Sequence, residues 1–286
     1  MGILMEILKS IVYGIVQGIT EWLPISSTGH LILLSEIIPL HVLESAEENL
    51  AFWEMYKVVI QFGSIIAVVL LYLHSLNPFA KDKTEREKNS TWRLWIKIIV
   101  ASIPAGIIGF LLDDIVDAKL STPFVVAIAL IVYGILFIIL ERRQKEPTIT
   151  SIPKLNYFTA LKIGCFQALA LIPGTSRSGS TILGSTLVGC DRSTATEFSF
   201  FMAIPVMLGA SVLKLIKMEA PITLGGMIVL LVGMIVAFIV SVVVIRTFLK
   251  YIRKHDFTLF GYYRIVLGIL ILILAFMNLL PSVLSA

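Results

Sequence analysis

The stretch QGITEWLPISSTGH, residues 17–30, places polar and ionisable side chains inside a chain that is otherwise strongly apolar. The chain has 286 residues, of which 57% are hydrophobic and 15% charged, and its mean hydropathy is +0.94. Such values are outside the range of soluble domains and indicate an all-α integral membrane protein. Polar groups at membrane depth are costly, so the stretch predicts a site for a ligand that enters the membrane.

Six apolar segments approach the ~20 residues that a helix needs to cross a hydrocarbon core of ~30 Å. These predicted transmembrane helices are 52–73, 94–112, 123–140, 197–217, 225–245 and 259–280. Two further apolar blocks, 1–34 and 155–192, each contain a central break.

Charge separates the connecting segments into two groups. The segments 74–93, 141–154 and 246–254 are rich in Lys and Arg, whereas 34–50 and 113–121 are mainly acidic. Because cytoplasmic loops retain positive charge, we expect the first group inside and the second outside. Six crossings satisfy this pattern if the two broken blocks do not cross. The net charge of +4 is then explained by topology, and no nucleic-acid partner is expected.

The two broken blocks are related by an internal repeat. A shift of 150 positions aligns identical residues, among them Gly14 with Gly164, Gln17 with Gln167, Ser26 with Ser176, and Gly29 with Gly179. Each copy precedes three predicted spans, which gives repeat halves of about 1–141 and 154–286. The second copy starts on the opposite side of the membrane, so we predict an inverted-topology repeat.

The breaks read LPISSTG, residues 23–29, and IPGTSRSG, residues 172–179. Their apolar flanks of roughly 15 residues are too short to span. Irregular backbone at membrane depth is tolerated only where protein or a wet cavity satisfies it. We therefore predict two re-entrant helical hairpins, 1–34 and 155–192, which enter from opposite faces and meet near the midplane.

Both predicted tips suit an anion, phosphate above all. Ser26 or Ser27 can cap the helix that resumes after the first break, and Thr175 or Ser176 can do so after the second. The free N–H groups and the dipole of each helix N-terminus favour negative charge. Arg177 adds a guanidinium fork that matches phosphate oxygens.

Glu21 would repel a phosphate unless a proton or a cation lay between them. Mg²⁺ or Ca²⁺ prefers oxygen ligands and bridges carboxylates to phosphates, so we predict a divalent cation held by Glu21 and the amide oxygen of Gln17. Gln17 lies four residues earlier, on the same helical face. The alternative is an ion pair between Glu21 and Arg177 that locks the hairpins together.

Ser27 and His30 lie three residues apart and share a face if the segment is helical. The imidazole could then deprotonate a hydroxyl or a water molecule. The alternative is structural, with Ser27 as a cap and His30 as a hydrogen-bonded hairpin residue.

These motifs resemble the two signatures of the undecaprenyl-diphosphate phosphatase family, also called bacitracin-resistance proteins. The first signature has Glu or Gln, three residues, and Glu, here Gln17 and Glu21. The second reads Pro-Gly-x-Ser-Arg-Ser-x-x-Thr, here starting at Pro173. The resemblance covers nearly the whole chain, and it implies hydrolysis of a C55 isoprenyl diphosphate to its monophosphate and inorganic phosphate. It also implies recycling of the lipid carrier for peptidoglycan synthesis and resistance to bacitracin.

The resemblance further implies roles for individual residues. Ser27, His30, Glu21 and Arg177 would be catalytic, and Glu21 and Gln17 would hold the metal. The residues expected to bind substrate are Gln17, Ser26, Thr28, Gly174, Ser176, Ser178 and Thr181. Gln17 takes the amide option where many members have Glu, which leaves Glu21 with most of the metal affinity.

The family resemblance also places the protein in the bacterial plasma membrane as a multi-pass protein, with the site on the extracytoplasmic side. The expected partners are a polyprenyl diphosphate and membrane lipids, and the sequence leaves a homodimer open.

Three other functions stay open on the sequence alone. STGH, residues 27–30, is similar to the Pro-Ser-Gly-His motif of type 2 phosphatidic acid phosphatases, but the second catalytic His expected after a Ser-Arg motif is missing until His255. A polyprenyl-phosphate flippase would also use inverted repeats and an anion site. A membrane scaffold with a structural polar core is the third.

Overall fold

Helices account for almost all regular structure in the computed structural model, which describes residues 2–120, 122–143, 146–217, 221 and 223–280, without the side chains of 113–118. The α-helices are α1 (Ile3–Thr20), α2 (Ser27–Ile37), α3 (Ala46–Val59), α4 (Gln61–Leu71), α5 (Leu73–Leu76), α6 (Glu85–Leu120), α7 (Pro123–Arg142), α8 (Tyr157–Ala168), α9 (Arg177–Leu187), α10 (Arg192–Lys217), α11 (Leu224–Ile252) and α12 (Thr258–Phe276). Single 3₁₀ turns lie at Ile152–Lys154 and Leu169–Leu171. Within the described residues no strand occurs, and the prediction of an all-α integral membrane protein is confirmed.

Seven helical stretches are long and apolar enough to cross a membrane. Six of them overlap the six predicted spans, and the seventh is α1. At 1.5 Å per residue, the 18 residues of α1 extend about 27 Å, whereas the 12 residues of α8 extend only about 18 Å. The two re-entrant hairpins, their inverted topology and the boundaries of the halves therefore stay predictions.

Three charged segments that the sequence assigns to loops are partly helical. Helix α6 begins at Glu85 and ends at Leu120, so it takes up part of 74–93 and most of the acidic segment 113–121. Helix α11 continues to Ile252. The prediction of a loop at 113–121 was wrong because residues 110–120 contain no Gly or Pro. A helix can therefore continue beyond the membrane. The acidic side chains of 113–118 and Lys145 lie outside the described part.

The internal repeat has a counterpart in the helices that follow each break. Helix α2 and helix α9 have 11 residues each, and both ends are offset by 150 positions. Each starts at a serine N-cap in the left-handed region, Ser26 with φ 73° and Ser176 with φ 70°. The two broken blocks therefore share the same unusual backbone turn.

Close helix crossings at glycines hold the broken blocks between the long helices. In α1, a Cβ atom at Gly14 would lie 2.7 Å from the carbonyl oxygen of Gly233 in α11. At the repeat-related Gly164 in α8, a Cβ atom would collide with the backbone of Ala101 in α6. Helices in a membrane associate largely through such close packing, so these crossings position both blocks.

Replacing Gly164 by Ala should destabilise the fold by about 1–3 kcal/mol, because the added methyl group collides with backbone that cannot rotate away. Thermal unfolding in detergent measures the effect. Gly106→Ala is the matched control, since a Cβ atom there meets nothing within 4 Å. Equal melting temperatures for the two variants would contradict the packing role.

Candidate active site

The two breaks lie against each other in the fold. The Ser178 hydroxyl, at the start of α9, donates a hydrogen bond of 3.1 Å to the carbonyl oxygen of Leu23 in the first break. The side chain of Ser26 accepts from the N–H of Gly29, and the side chain of Ser176 accepts from the N–H of Gly179. Two capped helix N-termini thus adjoin, an arrangement that favours an anion.

Glu21 lies at the centre of a polar cluster, the Glu21 cluster, with Gln17, Ser27 and Arg177. The side chain of Glu21 is only 5% exposed. Its carboxylate accepts hydrogen bonds from Gln17 Nε2 at 3.0 Å, from Ser27 Oγ at 2.8 Å and from Arg177 Nη2 at 3.2 Å. The ion pair between Glu21 and Arg177, which the sequence left as an alternative, is present. The same carboxylate also holds the predicted nucleophile.

Arg177 is held on its other side by α10. Its Nη1 donates to the carbonyl oxygen of Ser199 at 2.7 Å and approaches the Ser199 hydroxyl at 3.3 Å. The guanidinium lies over the ring of Trp22, 5.7 Å from its centroid. The Nε of Arg177 is buried and makes no hydrogen bond. One donor of the guanidinium is therefore left without a partner among the described residues.

The side chains of His30 and Ser27 form no hydrogen bond with each other and have different partners. Its Nδ1 lies 2.7 Å from the carbonyl oxygen of Ser26, and its Nε2 lies 2.6 Å from the Tyr263 hydroxyl. A carbonyl only accepts, so Nδ1 carries the proton and Nε2 accepts from Tyr263. The two rings are stacked, with 8° between their planes. The hydrogen-bonded alternative for His30 is thus observed, and its role as a base stays a prediction.

The other predicted substrate-binding residues surround the cluster. Thr181 is buried, and its hydroxyl bonds to the Ser199 hydroxyl and to the carbonyl oxygen of Arg177. Gly174 adopts φ 93°, where a Cβ atom would strike the backbone of Val126, so only glycine fits this turn. Thr28 is half-buried beside Ser27. The fold brings both motifs into one region.

Arg264 in α12 is the principal residue that the sequence analysis missed. It is fully buried, and its guanidinium donates to the carbonyl oxygens of Pro24 at 3.0 Å and of Gly174 and Thr175 at 2.8 Å each. These acceptors belong to both breaks. Arg264 therefore clamps the two tips together and satisfies carbonyl groups that irregular backbone leaves unpaired. An Arg inside an apolar segment was the only available signal.

A divalent cation at Glu21 and Gln17 stays a prediction, and one buried oxygen there lacks a partner. The Gln17 amide turns its nitrogen toward Glu21, and its Oε1 is buried without a hydrogen-bond partner. Within the described residues, no group of three or more His, Cys, Asp or Glu side chains could hold a metal ion alone. Mg²⁺ is often bound through one or two carboxylates together with substrate phosphates, and this donor set matches that pattern.

The chain is similar to known proteins over most of its length. The family model described as bacitracin resistance protein BacA matches residues 10–270. An undecaprenyl-diphosphatase of Streptococcus gordonii is 56% identical over 273 residues, covering 94% of this chain and 95% of the relative. Undecaprenyl-diphosphatase 1 of Clostridioides difficile is 55% identical over 269 residues, covering 94% and 96%. That of Enterococcus faecalis strain V583 is 52% identical, covering 92% and 95%.

Arg264→Lys should lower phosphate release from a polyprenyl diphosphate by about 10- to 100-fold, because a single ammonium cannot hold the carbonyl groups of both tips in register. The measurement is kcat/KM of purified protein in detergent. Arg246→Lys, at an exposed position, is the control and should retain activity. Unchanged kinetics for Arg264→Lys would show that the clamp does not position the site.

Proposed function

The chain belongs to the bacitracin resistance protein family and is an undecaprenyl-diphosphatase, and from this premise we propose the role of each active-site residue in the hydrolysis. The single observation that carries the proposal is the shared Glu21 carboxylate, which bonds Ser27 and Arg177 at once. The proposed nucleophile and a guanidinium that could bind phosphate therefore both lie within hydrogen-bond distance of one proton acceptor, the Glu21 carboxylate.

The distal phosphate would bind between the two helix N-termini. The unpaired Nε of Arg177 and the first N–H groups of α2 and α9 are the donors that favour an anion there. The polyprenyl tail would extend into the lipid that surrounds the apolar, exposed faces of the long helices. Binding would hold the phosphorus near Ser27 Oγ.

In the proposed reaction, Ser27 Oγ attacks the distal phosphorus and passes its proton to Glu21, with which it already shares a hydrogen bond of 2.8 Å. The bond between the distal phosphorus and the bridging oxygen breaks, and the polyprenyl monophosphate leaves. Water then hydrolyses the phosphoserine and releases inorganic phosphate. A divalent cation at Glu21 and Gln17 would neutralise charge on the diphosphate.

Direct attack by water activated at His30 is the competing mechanism. In the structure the Nε2 of His30 accepts from Tyr263, so this mechanism requires the phenol to move away. The Ser27 hydroxyl, in contrast, already faces its acceptor. This difference favours Ser27 as the nucleophile.

The protein is a multi-pass membrane protein, and we place it in the bacterial plasma membrane. We propose that the site opens on the extracytoplasmic side, as the family resemblance implies, where a released diphosphate carrier would be recycled. Relatives named undecaprenyl-diphosphatase favour hydrolysis over the flippase alternative.

Ser27→Ala should lower phosphate release more than about a hundredfold, and the phosphoserine should be trappable in the parent protein by acid quenching. Ser35→Ala, a buried serine of the same helix whose hydroxyl bonds to the Ile32 carbonyl, is the control. Near-normal turnover by Ser27→Ala would eliminate the phosphoserine and support attack by water.

Chelation with EDTA should abolish phosphate release in detergent, where no vectorial transport exists. Gln17→Glu should bind Mg²⁺ about tenfold more tightly, because it adds a second carboxylate beside Glu21. The concentration of Mg²⁺ that raises the melting temperature half-maximally measures this affinity without relying on activity. If Gln17→Glu and the parent protein respond equally to Mg²⁺, the cation does not bind at residue 17.

A further inference from the structure

A second polar cavity lies away from the active site, at the end of the fold that the positive-inside pattern assigns to the cytoplasm. Its volume is about 880 Å³, within the range of about 300–1,000 Å³ that ligand sites occupy. The charged lining residues are Lys83, Arg86, Glu87, Arg93, Lys97 and Glu197. Positive side chains thus outnumber negative ones.

Two of these cations are buried without a counter-ion. Lys83 is 8% exposed and Lys97 is 7% exposed. The ammonium of Lys97 donates only to the carbonyl oxygens of Ile152 and Pro153. The ammonium of Lys83 donates to two carbonyl oxygens and to the Thr91 hydroxyl. In the part of the chain that the structure describes, neither forms an ion pair.

Uncompensated positive charge in this position is unfavourable for three separate reasons. A buried charge with only neutral partners retains much of its desolvation cost. Arg93 and Lys97 are four residues apart, and Arg86 lies seven before Arg93, so the three like charges share one face of α6. Arg86 lies in the first turn of that helix, where the dipole favours anions over cations. A bound anion would relieve all three costs.

The two carboxylates in the lining are already engaged. Glu87 accepts from the backbone N–H and the hydroxyl of Thr84, as a helix cap. Glu197 forms a side-chain hydrogen bond with Tyr72. Among the described residues, neither carboxylate forms an ion pair with a cation of the lining.

Helix α10 separates this cavity from the active site. Glu197 and Phe201 lie one turn apart and line the cavity, whereas Ser199, between them, faces the opposite way and holds Arg177. No residue of the Glu21 cluster lines the cavity. It is therefore a distinct site.

We propose that this cavity binds a phosphate group with net negative charge, carried by an anionic lipid headgroup or present as free phosphate. Lys83, Arg86, Arg93 and Lys97 supply the charge-assisted hydrogen bonds.

Thermal unfolding in detergent tests the proposal with three probes, namely dihexanoyl phosphatidylglycerol, dihexanoyl phosphatidylcholine and inorganic phosphate. Lys83→Gln and Lys97→Gln should each weaken the stabilisation by phosphatidylglycerol about tenfold or more in midpoint concentration. Lys81→Gln, an exposed lysine two residues from Lys83, is the charge-matched control and should behave as the parent. The active site is unchanged in all variants, so any difference between them belongs to the cavity.

Retained hydrolysis of the polyprenyl diphosphate shows that a variant folds. Arg93→Gln removes another positive charge of the cavity at an exposed position, with less risk to folding. A larger shift with phosphatidylglycerol than with inorganic phosphate supports the headgroup, and equal shifts support free phosphate. The proposal is overturned if neither anion stabilises the parent protein more than phosphatidylcholine does. It is also overturned if the cavity variants and Lys81→Gln lose equal affinity.

Discussion

The buried contact between Glu21 and Arg177 is the interaction on which the rest of the structure depends. It joins residues 156 positions apart and ties the first break to the second. A buried ion pair repays its desolvation only with good geometry and additional hydrogen bonds, and here Gln17, Ser27 and Ser199 supply them. The same pair therefore has a structural role and a proposed catalytic role, because the carboxylate that joins the two tips also bonds to the proposed nucleophile.

Irregular backbone inside a membrane needs partners for its carbonyl groups, and α12 meets that need. Arg264 pairs carbonyl groups of both breaks, and the preceding residue, Tyr263, bonds to His30. Two neighbouring residues of one helix therefore hold the tips and orient the imidazole. Helix α12 packs in turn against α7, where Gly134 and Gly261 allow the two backbones to approach.

Helix α10 has a comparable role on the other side of the site. Ser199 bonds to both Arg177 and Thr181, so the phosphate-binding motif rests on this helix. The opposite face of α10 borders the basic cavity through Glu197 and Phe201. Helix α10 therefore borders both the basic cavity and the active site.

The sequence by itself determined the membrane class, the six apolar spans, the two broken blocks and the polar residues within them. These follow from composition and local pattern, because lipid selects apolar helices and makes each embedded polar residue conspicuous. Only the tertiary structure decided which partners those residues have. Arg264 and Pro24 are 240 positions apart, and Ser199 is an ordinary serine until packing places it at Arg177. Hydrogen bonds between distant segments arise from how the helices pack, and local sequence carries no signal for them.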